Sequence, residues 1–327
     1  METKLKNNTH KLLLVAIMAH NEEKVIEKSI ESILNQQSPS GYSVKVIVVA
    51  NGCVDRTEEI VGAIAKNNSD KIELISISEK GKTRAINRAI SFFEDVTDTS
   101  STIPYIIFLD ADCEFIGKEV LLDFVRRFEE TPELCAVGAD CLPDVFFNQR
   151  KDIVAKIYRA VYSFGKSLKM NSLSGMCYAI RYDILRKIDF PDFQFAEDMF
   201  VSSRLSGRFL KDKNMQILFK TPSNLHDEIE RRTRQAISTQ RYHEYYAYLK
   251  GNGVKVKLFD QSIGDDYIWR GNTNGEILRS WLRVSGLHSK LLIIAYVLIK
   301  QWAKFRAYFK MRKLKINAKE DYWKVSR

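Results

Sequence analysis

The chain has 327 residues, of which 45% are hydrophobic and 28% charged, with 15 Gly and only 6 Pro. That composition excludes intrinsic disorder and Pro/Gly-rich low complexity, and the length allows one large domain or two small ones. The formal net charge of +10 is concentrated at one end: Lys290–Arg327 holds eleven Lys/Arg against two acidic residues, which leaves +1 for the other 289 residues. A nearly neutral body with no recognised binding module argues against nucleic acid as a partner. The five cysteines, Cys53, Cys113, Cys135, Cys141 and Cys177, are scattered without metal-type pairing, which fits reduced thiols in the cytoplasm. The longest apolar run, Leu291–Ile299, has nine residues, against the ~20 that a spanning helix needs.

In chain order, Leu12–Ala19 reads as a strand. Glu22–Asn35 follows as a helix with Val25, Ile26, Ser29, Ile30, Ile33 and Leu34 on one face. Val44–Ala50 is a second strand, Val54–Lys66 a second helix, and Lys71–Ile77 a third strand. Lys82–Phe93 is a third helix with Ala85, Ile86, Ala89 and Ile90 inward, and Ile103–Asp110 a fourth strand. Apolar strands alternating with amphipathic helices predict an α/β fold: a mainly parallel, Rossmann-like sheet flanked by helices. Such sheets bind ligands at the carboxyl ends of their strands.

Polar clusters stand at all four of those ends: His20-Asn21-Glu22-Glu23, Asn51-Gly52-Cys53-Val54-Asp55, Glu79-Lys80-Gly81-Lys82 and Asp110-Ala111-Asp112. Together they outline one site, although Asp55 near a helix start is explained by capping alone. Asp110 and Asp112 leave the end of a buried-looking strand, where two carboxylates repel unless a cation sits between them. Such oxygen ligands suit magnesium or manganese bridging to substrate phosphates. Gly81-Lys82-Thr83 looks like the end of a P-loop, but the glycine required five positions earlier is Ser76. What remains is a cationic element, Lys80, Lys82, Arg84 and Arg88, beside an acidic one, a combination suited to a nucleotide diphosphate.

These segments, with Ser174-Gly175-Met176-Cys177-Tyr178-Ala179-Ile180-Arg181 and Glu197-Asp198 further on, resemble the family 2 glycosyltransferases in order and spacing, over roughly Leu12 to Arg241. The resemblance implies a GT-A fold and transfer of sugar from a nucleotide-diphosphate sugar with inversion at the anomeric carbon. It implies Asp112 as principal ligand of Mn2+ or Mg2+, Asp110 as its helper, and Asp198 as catalytic base. Ala19, His20, Glu22, Asn51, Lys82, Asn87, Asp110 and Ala111 fall at the nucleotide-sugar side, and Gly175, Met176 and Glu197 at the acceptor side. Glu197 is equally a helix N-terminal acid, and His226 is either a further metal ligand or a surface histidine beside Asp227. Met18 stands where the family often has proline, and Ala50-Asn51 where it has an acidic pair. Asn51 normally corresponds to a residue approaching the base, so uridine versus guanosine stays open. The processive Gln-x-x-Arg-Trp motif has no counterpart in Gln235–Ser238 or Gln240-Arg241-Tyr242, which favours single addition to a glycan or lipid-linked acceptor. The contrasting reading is a catalytically inactive sugar-nucleotide-binding or scaffold protein.

The expected organisation is a catalytic domain over 1–230, with a nucleotide-sugar half (1–115) and an acceptor half (116–230). A helix and loop over 231–284 would close the active site, and 285–327 would form a basic tail. Arg231, Arg232 and Arg234 lie on a polar helix pattern (Glu230–Lys250), either on a solvated face or meeting phosphate. Gly264–Gly275 reads as a loop in which Trp269 stacks on a sugar or fills a gap. Leu287, Leu291, Ile294, Leu298, Trp302, Phe305 and Phe309 recur at steps of three and four, one apolar stripe on a long helix. Lys300, Lys304, Arg306, Lys310 and Lys313 lie elsewhere on it. This basic amphipathic helix predicts peripheral association with an anionic membrane surface at the cytoplasmic face; packing on protein is the alternative.

Overall fold

The computed structural model describes residues 11–97, 102–165, 168, 172–260 and 274–317. Trp269 and the segment 318–327 therefore lie outside the described residues. Along the chain come β1 (Lys11–Ala19), α1 (Ile26–Leu34), β2 (Tyr42–Asn51), α2 (Thr57–Asn67), β3 (Ile72–Ile77), α3 (Lys82–Thr97) and β4 (Tyr105–Asp110). Each expected strand is found within two residues of its expected bounds. The third helix starts at Lys82, as expected, and the first two start later, for local reasons. Asn21 adopts a left-handed φ of 58°, and the Glu22 carbonyl accepts the N–H groups of Val25 and Ile26, which delays α1 from Glu22 to Ile26. The Val54 N–H is bonded to the Asn21 side chain, so α2 begins at Thr57 instead of Val54.

The rest of the chain adds β5 (Cys113–Phe115), α4 (Val120–Glu130), β6 (Ala136–Pro143), α5 (Ile153–Gly165), β7 (Cys177–Arg181) and the short α6 (Tyr182–Leu185). It ends with α7 (Glu197–Arg204), β8 (Phe209–Phe219), α8 (Leu225–Gly251), α9 (Asn274–Arg283) and α10 (Leu287–Asn317). The sheet has eight strands in the order β3-β2-β1-β4-β7-β6-β8-β5. The pairs β1–β2, β1–β4 and β2–β3 are parallel, while β4–β7 and β6–β7 are antiparallel. The order 3-2-1-4 reverses direction between β1 and β4, and that reversal opens a crevice at the carboxyl ends of those two strands. In register, Asp110 at the end of β4 lies beside Met18 at the end of β1.

Two compact units divide the chain. The first comprises the described parts of Met1–Ala139, Met176–Phe190 and Asp212–Gln216; the second comprises the described parts of Asp140–Gly175, Pro191–Lys211 and Ile217–Arg327. In the first, Leu13–Ala19 and Val46–Ala50 are continuously buried, as strands covered on both faces require. α1 turns Ile26, Ser29, Ile30 and Ile33 inward, and α3 turns Ala85, Ile86, Ala89 and Phe93 inward. Each large aliphatic side chain so buried contributes roughly 1.5–3 kcal/mol.

The second unit contains a helical group. α10 packs on α8 and α5, and it does so through Leu292, Ile293, Ala303, Ala307 and Met311, all buried. The stripe expected from the sequence points the other way: Leu287, Leu291, Ile294, Leu298, Trp302, Phe305 and Phe309 are all exposed. The helix thus carries two apolar faces. The small Ala303 and Ala307 let it approach its neighbours closely, and the bulky residues remain outside. Arg306 and Lys310 hold Glu230 of α8, the lysine at 3.1 Å. No helix among the described residues is long and apolar enough to cross a membrane.

Candidate active site

In the first unit the strand ends are fastened to one another by side chains from the polar clusters. Asn51, only 3% exposed, is the central tie. Its Nδ2 donates to the Ala19 carbonyl at 2.7 Å, and its Oδ1 accepts from the Gly81 N–H at 3.1 Å. Its own carbonyl accepts from His20 Nδ1 at 2.7 Å. A carbonyl only accepts, so Nδ1 carries the proton, and Asn21 Nδ2 lies 3.4 Å from Nε2. The end of β1, the end of β2 and the turn before α3 are thereby locked together. Gly52 is required beside Asn51: its φ is +58°, and a Cβ there would fall 2.7 Å from Lys80 Cγ and 3.0 Å from the Ser78 carbonyl.

A second clasp joins the first and second strand ends. Asp55 Oδ1 accepts from the Thr57 N–H (3.0 Å) and hydroxyl (2.6 Å), and Oδ2 from the Glu23 N–H (3.1 Å). The Glu22 N–H donates to Thr57 Oγ1 at 2.7 Å. Burial is the largest single influence on the Asp55 carboxyl and would raise its pKa. The bonds from Thr57 and Glu23 together outweigh it and hold the group below its ordinary value. Asp55 is thus a cap, as its position suggested, and a tie between segments as well.

Asp110 and Asp112 stand at the sheet's reversal point. Lys82, the first residue of α3, brings Nζ within 2.7 Å of Asp110 Oδ1. The Asp110 N–H donates to the Met176 carbonyl at 2.9 Å, so the expected donor-side and acceptor-side segments meet there within one unit. Ala111 between the aspartates is buried, while Asp110 and Asp112 are partly accessible. This donor set, two carboxylates with one already balanced by an ammonium, fits a hard divalent ion, which takes one or two carboxylates and completes its shell with phosphate and water oxygens. Among the described residues, no three or more His, Cys, Asp or Glu side chains are gathered as a metal site.

Three expected nucleotide-side residues have structural tasks here. The Asn51 amide, expected at the base, is buried and spent on Ala19 and Gly81. Ala19 is fully buried and its carbonyl is taken by Asn51. Asn87 Nδ2 donates to the Phe190 carbonyl at 3.2 Å, which anchors α3.

In the second unit, Asp198 lies in the first turn of α7. Its Oδ2 accepts from the Gly175 N–H at 3.0 Å and its Oδ1 from the Met199 N–H at 2.8 Å. The Ser202 hydroxyl donates to the Asp198 carbonyl (2.6 Å) and accepts from the Leu173 N–H (2.9 Å). The expected base and acceptor glycine are therefore in direct contact, and the carboxylate is held from two sides. Glu197 beside it opens α7, the helix N-terminal position that the alternative reading gave it, and is 7% exposed. His226 is exposed in the first turn of α8.

Two polar groups of this unit escaped the sequence reading. Asp140 receives Tyr162 OH at 2.9 Å and Lys211 Nζ at 2.8 Å. Glu228, 1% exposed, accepts from Tyr158 OH at 2.8 Å and Arg232 Nε at 2.6 Å. Arg231 and Arg232 both donate to the Tyr158 hydroxyl, and Arg232 also lies over the Tyr296 ring, 5.0 Å from its centroid. Arg232, expected on a solvated face or at phosphate, instead belongs to a buried network joining α5, α8 and α10. Periodicity gave no signal for it, because its members come from three distant segments.

Comparison with known proteins decides the family. The model of "Glycosyl transferase family 2" matches residues 14–189. The chain belongs to this family. Two proteins called 4,4'-diaponeurosporenoate glycosyltransferase, from Staphylococcus aureus strains N315 and USA300, are 29% and 28% identical to it over 129 residues. That match covers 39% of this chain and only 31% of each relative. Among solved structures, mannosyltransferase PcManGT from Pyrobaculum calidifontis, in complex with GDP-Man and Mn2+, aligns over 94% of this chain and 88% of its own, with a TM-score of 0.57 and 17% identity. The family 2 chain thus has the GT-A fold from its first strand into its C-terminal helices, and the motif segments named above fall inside or just beyond the family match.

Proposed function

We propose that the protein transfers a single sugar from a nucleotide-diphosphate sugar to a hydroxyl of a glycan or lipid-linked acceptor, with inversion and with a bound Mn2+ or Mg2+. The observation that carries this reading is Asp110-Ala111-Asp112 at the carboxyl end of β4, beside β1 where the strand order reverses, with Lys82 on Asp110. Family membership supports it, as does a fold shared with a mannosyltransferase whose structure contains GDP-Man and Mn2+.

In this proposal Asp112, helped by Asp110, holds the divalent ion, whose chemistry when bound is to stabilise charge on the departing diphosphate. His226, exposed and in no three-ligand group among the described residues, is left as a surface histidine beside Asp227. Lys82 adds positive charge beside the same phosphates. His20 and Glu22 contact the nucleotide, and Asn51 acts behind them by fixing the strand ends. Asp198 takes the proton of the acceptor hydroxyl as that oxygen attacks; its two backbone bonds fix the carboxylate's direction and leave lone pairs for the task. Gly175, Met176 and Glu197 shape the acceptor side. The exposed stripe of α10, with its basic flanks, lies on the anionic cytoplasmic face of a membrane.

A panel of uridine and guanosine diphosphate sugars with Mn2+, read by thermal shift and then by product formation, tests the reading. One donor should raise the melting temperature only when metal is present, and NMR of its product should give the opposite anomer. A panel in which a donor binds yet is never hydrolysed or transferred, across acceptors, would establish a binding protein instead.

A further inference from the structure

Within the second unit, α5, α9 and α10 enclose a cavity of about 550 Å3, within the roughly 300–1,000 Å3 range of small-molecule sites. Ala160 and Leu292 on its lining belong to an apolar cluster with Ile157 and Ile293. Its walls are basic: Lys156 and Arg159 from α5, Arg283 from α9 and His288 from α10 line it, with Ser163 and Ser289. The Arg159 guanidinium also donates to the Val145 carbonyl at 2.5 Å, and the Ser163 hydroxyl to the Arg159 carbonyl at 2.9 Å. No carboxylate lines it, and none of these four groups forms an ion pair among the described residues. Lys156 and Arg283 thus bring positive charge to the cavity with no counter-charge on its lining, an arrangement that favours an anion able to accept hydrogen bonds.

The surroundings narrow the anion further. Leu282 precedes Arg283 and Leu287 precedes His288, and these leucines are 66% and 74% exposed. From Leu287 the exposed stripe continues through Leu291, Ile294, Leu298 and Trp302. Cationic groups therefore line the cavity while apolar ones stand outside it on the same two helices. A free phosphate would satisfy the cations and leave both most of the volume and the stripe unused.

We propose that this cavity is a binding site for the phosphate headgroup of an anionic phospholipid in a membrane, whose acyl region covers the exposed stripe of α9 and α10. The proposal rests on the membrane reading given above and adds a specific site to it. Positive charge and adjoining apolar surface match the two parts of such an amphiphile. Two pairs of substitutions separate a site from diffuse attraction. Lys156→Gln/Arg283→Gln removes two charges from the cavity, and Lys304→Gln/Arg312→Gln removes two from exposed positions elsewhere on α10. All four residues are exposed, so both variants should melt like the parent.

The test is flotation of the full chain with phosphatidylcholine vesicles, with and without phosphatidylglycerol, and with glycerol phosphate or inorganic phosphate as soluble competitor. The parent should float only with anionic vesicles. The cavity pair should weaken that binding about tenfold more than the control pair, the size of effect expected for charge-assisted hydrogen bonds, and glycerol phosphate should compete only in proteins with an intact cavity. Equal losses in the two pairs would overturn the site while leaving the membrane reading standing. A parent that ignores anionic vesicles would overturn both, and if it still bound soluble phosphate through the cavity, the ligand would be a free phosphate instead.

Discussion

The two units organise their polar residues in opposite ways. In the first, polar side chains sit at strand ends and bind backbone groups of neighbouring turns: Asn51 to Ala19 and Gly81, Asp55 to Thr57 and Glu23. In the second, the most buried charged group, Glu228, lies amid helices and is satisfied by Tyr158 and Arg232 side chains. The first arrangement leaves the crevice end of the sheet rigid and partly accessible. The second uses buried charge to join helices, an arrangement in which losing one partner strands the other.

That contrast sets the order of expected losses. Glu228→Ala should destabilise the protein by about 3–5 kcal/mol, because it leaves Arg232 buried without its carboxylate; chemical denaturation measures it. A loss below about 1 kcal/mol would show that the network is hydrated and that the contrast is overstated. Asn51→Ala should cost about 1–3 kcal/mol, through two unsatisfied backbone groups. It should also weaken donor binding without removing any group that touches the donor. Donor affinity unchanged in Asn51→Ala would mean that the strand-end ties do not shape the crevice. Glu230→Gln, which removes the partly exposed partner of Arg306 and Lys310, should cost only about 0–1 kcal/mol.

Acidity gives a further test. The folded pKa of Asp55 is below its ordinary value of 3.8, so its contribution to stability is complete above that pH and is lost as pH falls through the depressed value. Asp55→Asn should therefore reduce the stability difference between neutral pH and pH values below 3.8. An unchanged acid dependence would remove Asp55 from the clasp.

The first unit was largely legible because its signals are local. Strands of continuous Leu, Ile and Val, helices of period near 3.6, and polar residues at each junction fix one another within a few positions. The bounds that moved, at Glu22 and Val54, did so through side-chain bonds and a left-handed residue that no propensity registers. The motif aspartates were found at a strand end, yet the Asn51 amide proved to be committed to the protein, which spacing does not show. In the second unit the period of α10 was legible, and its stripe is exposed, as a surface-binding face requires and the packing alternative does not. What the sequence reading missed is the second face, on which Ala303 and Ala307 pack, because close helix contact rewards small side chains. The Tyr158–Glu228–Arg232 network joins residues about seventy positions apart, beyond the reach of any local pattern.

The most direct measurement pairs activity with metal in Asp112→Asn. With the preferred nucleotide sugar and Mn2+, transfer should fall by at least about 10²–10³-fold, metal-dependent donor binding should disappear, and the melting temperature without ligand should stay unchanged. Full transfer by Asp112→Asn in the presence of a chelator would contradict the account.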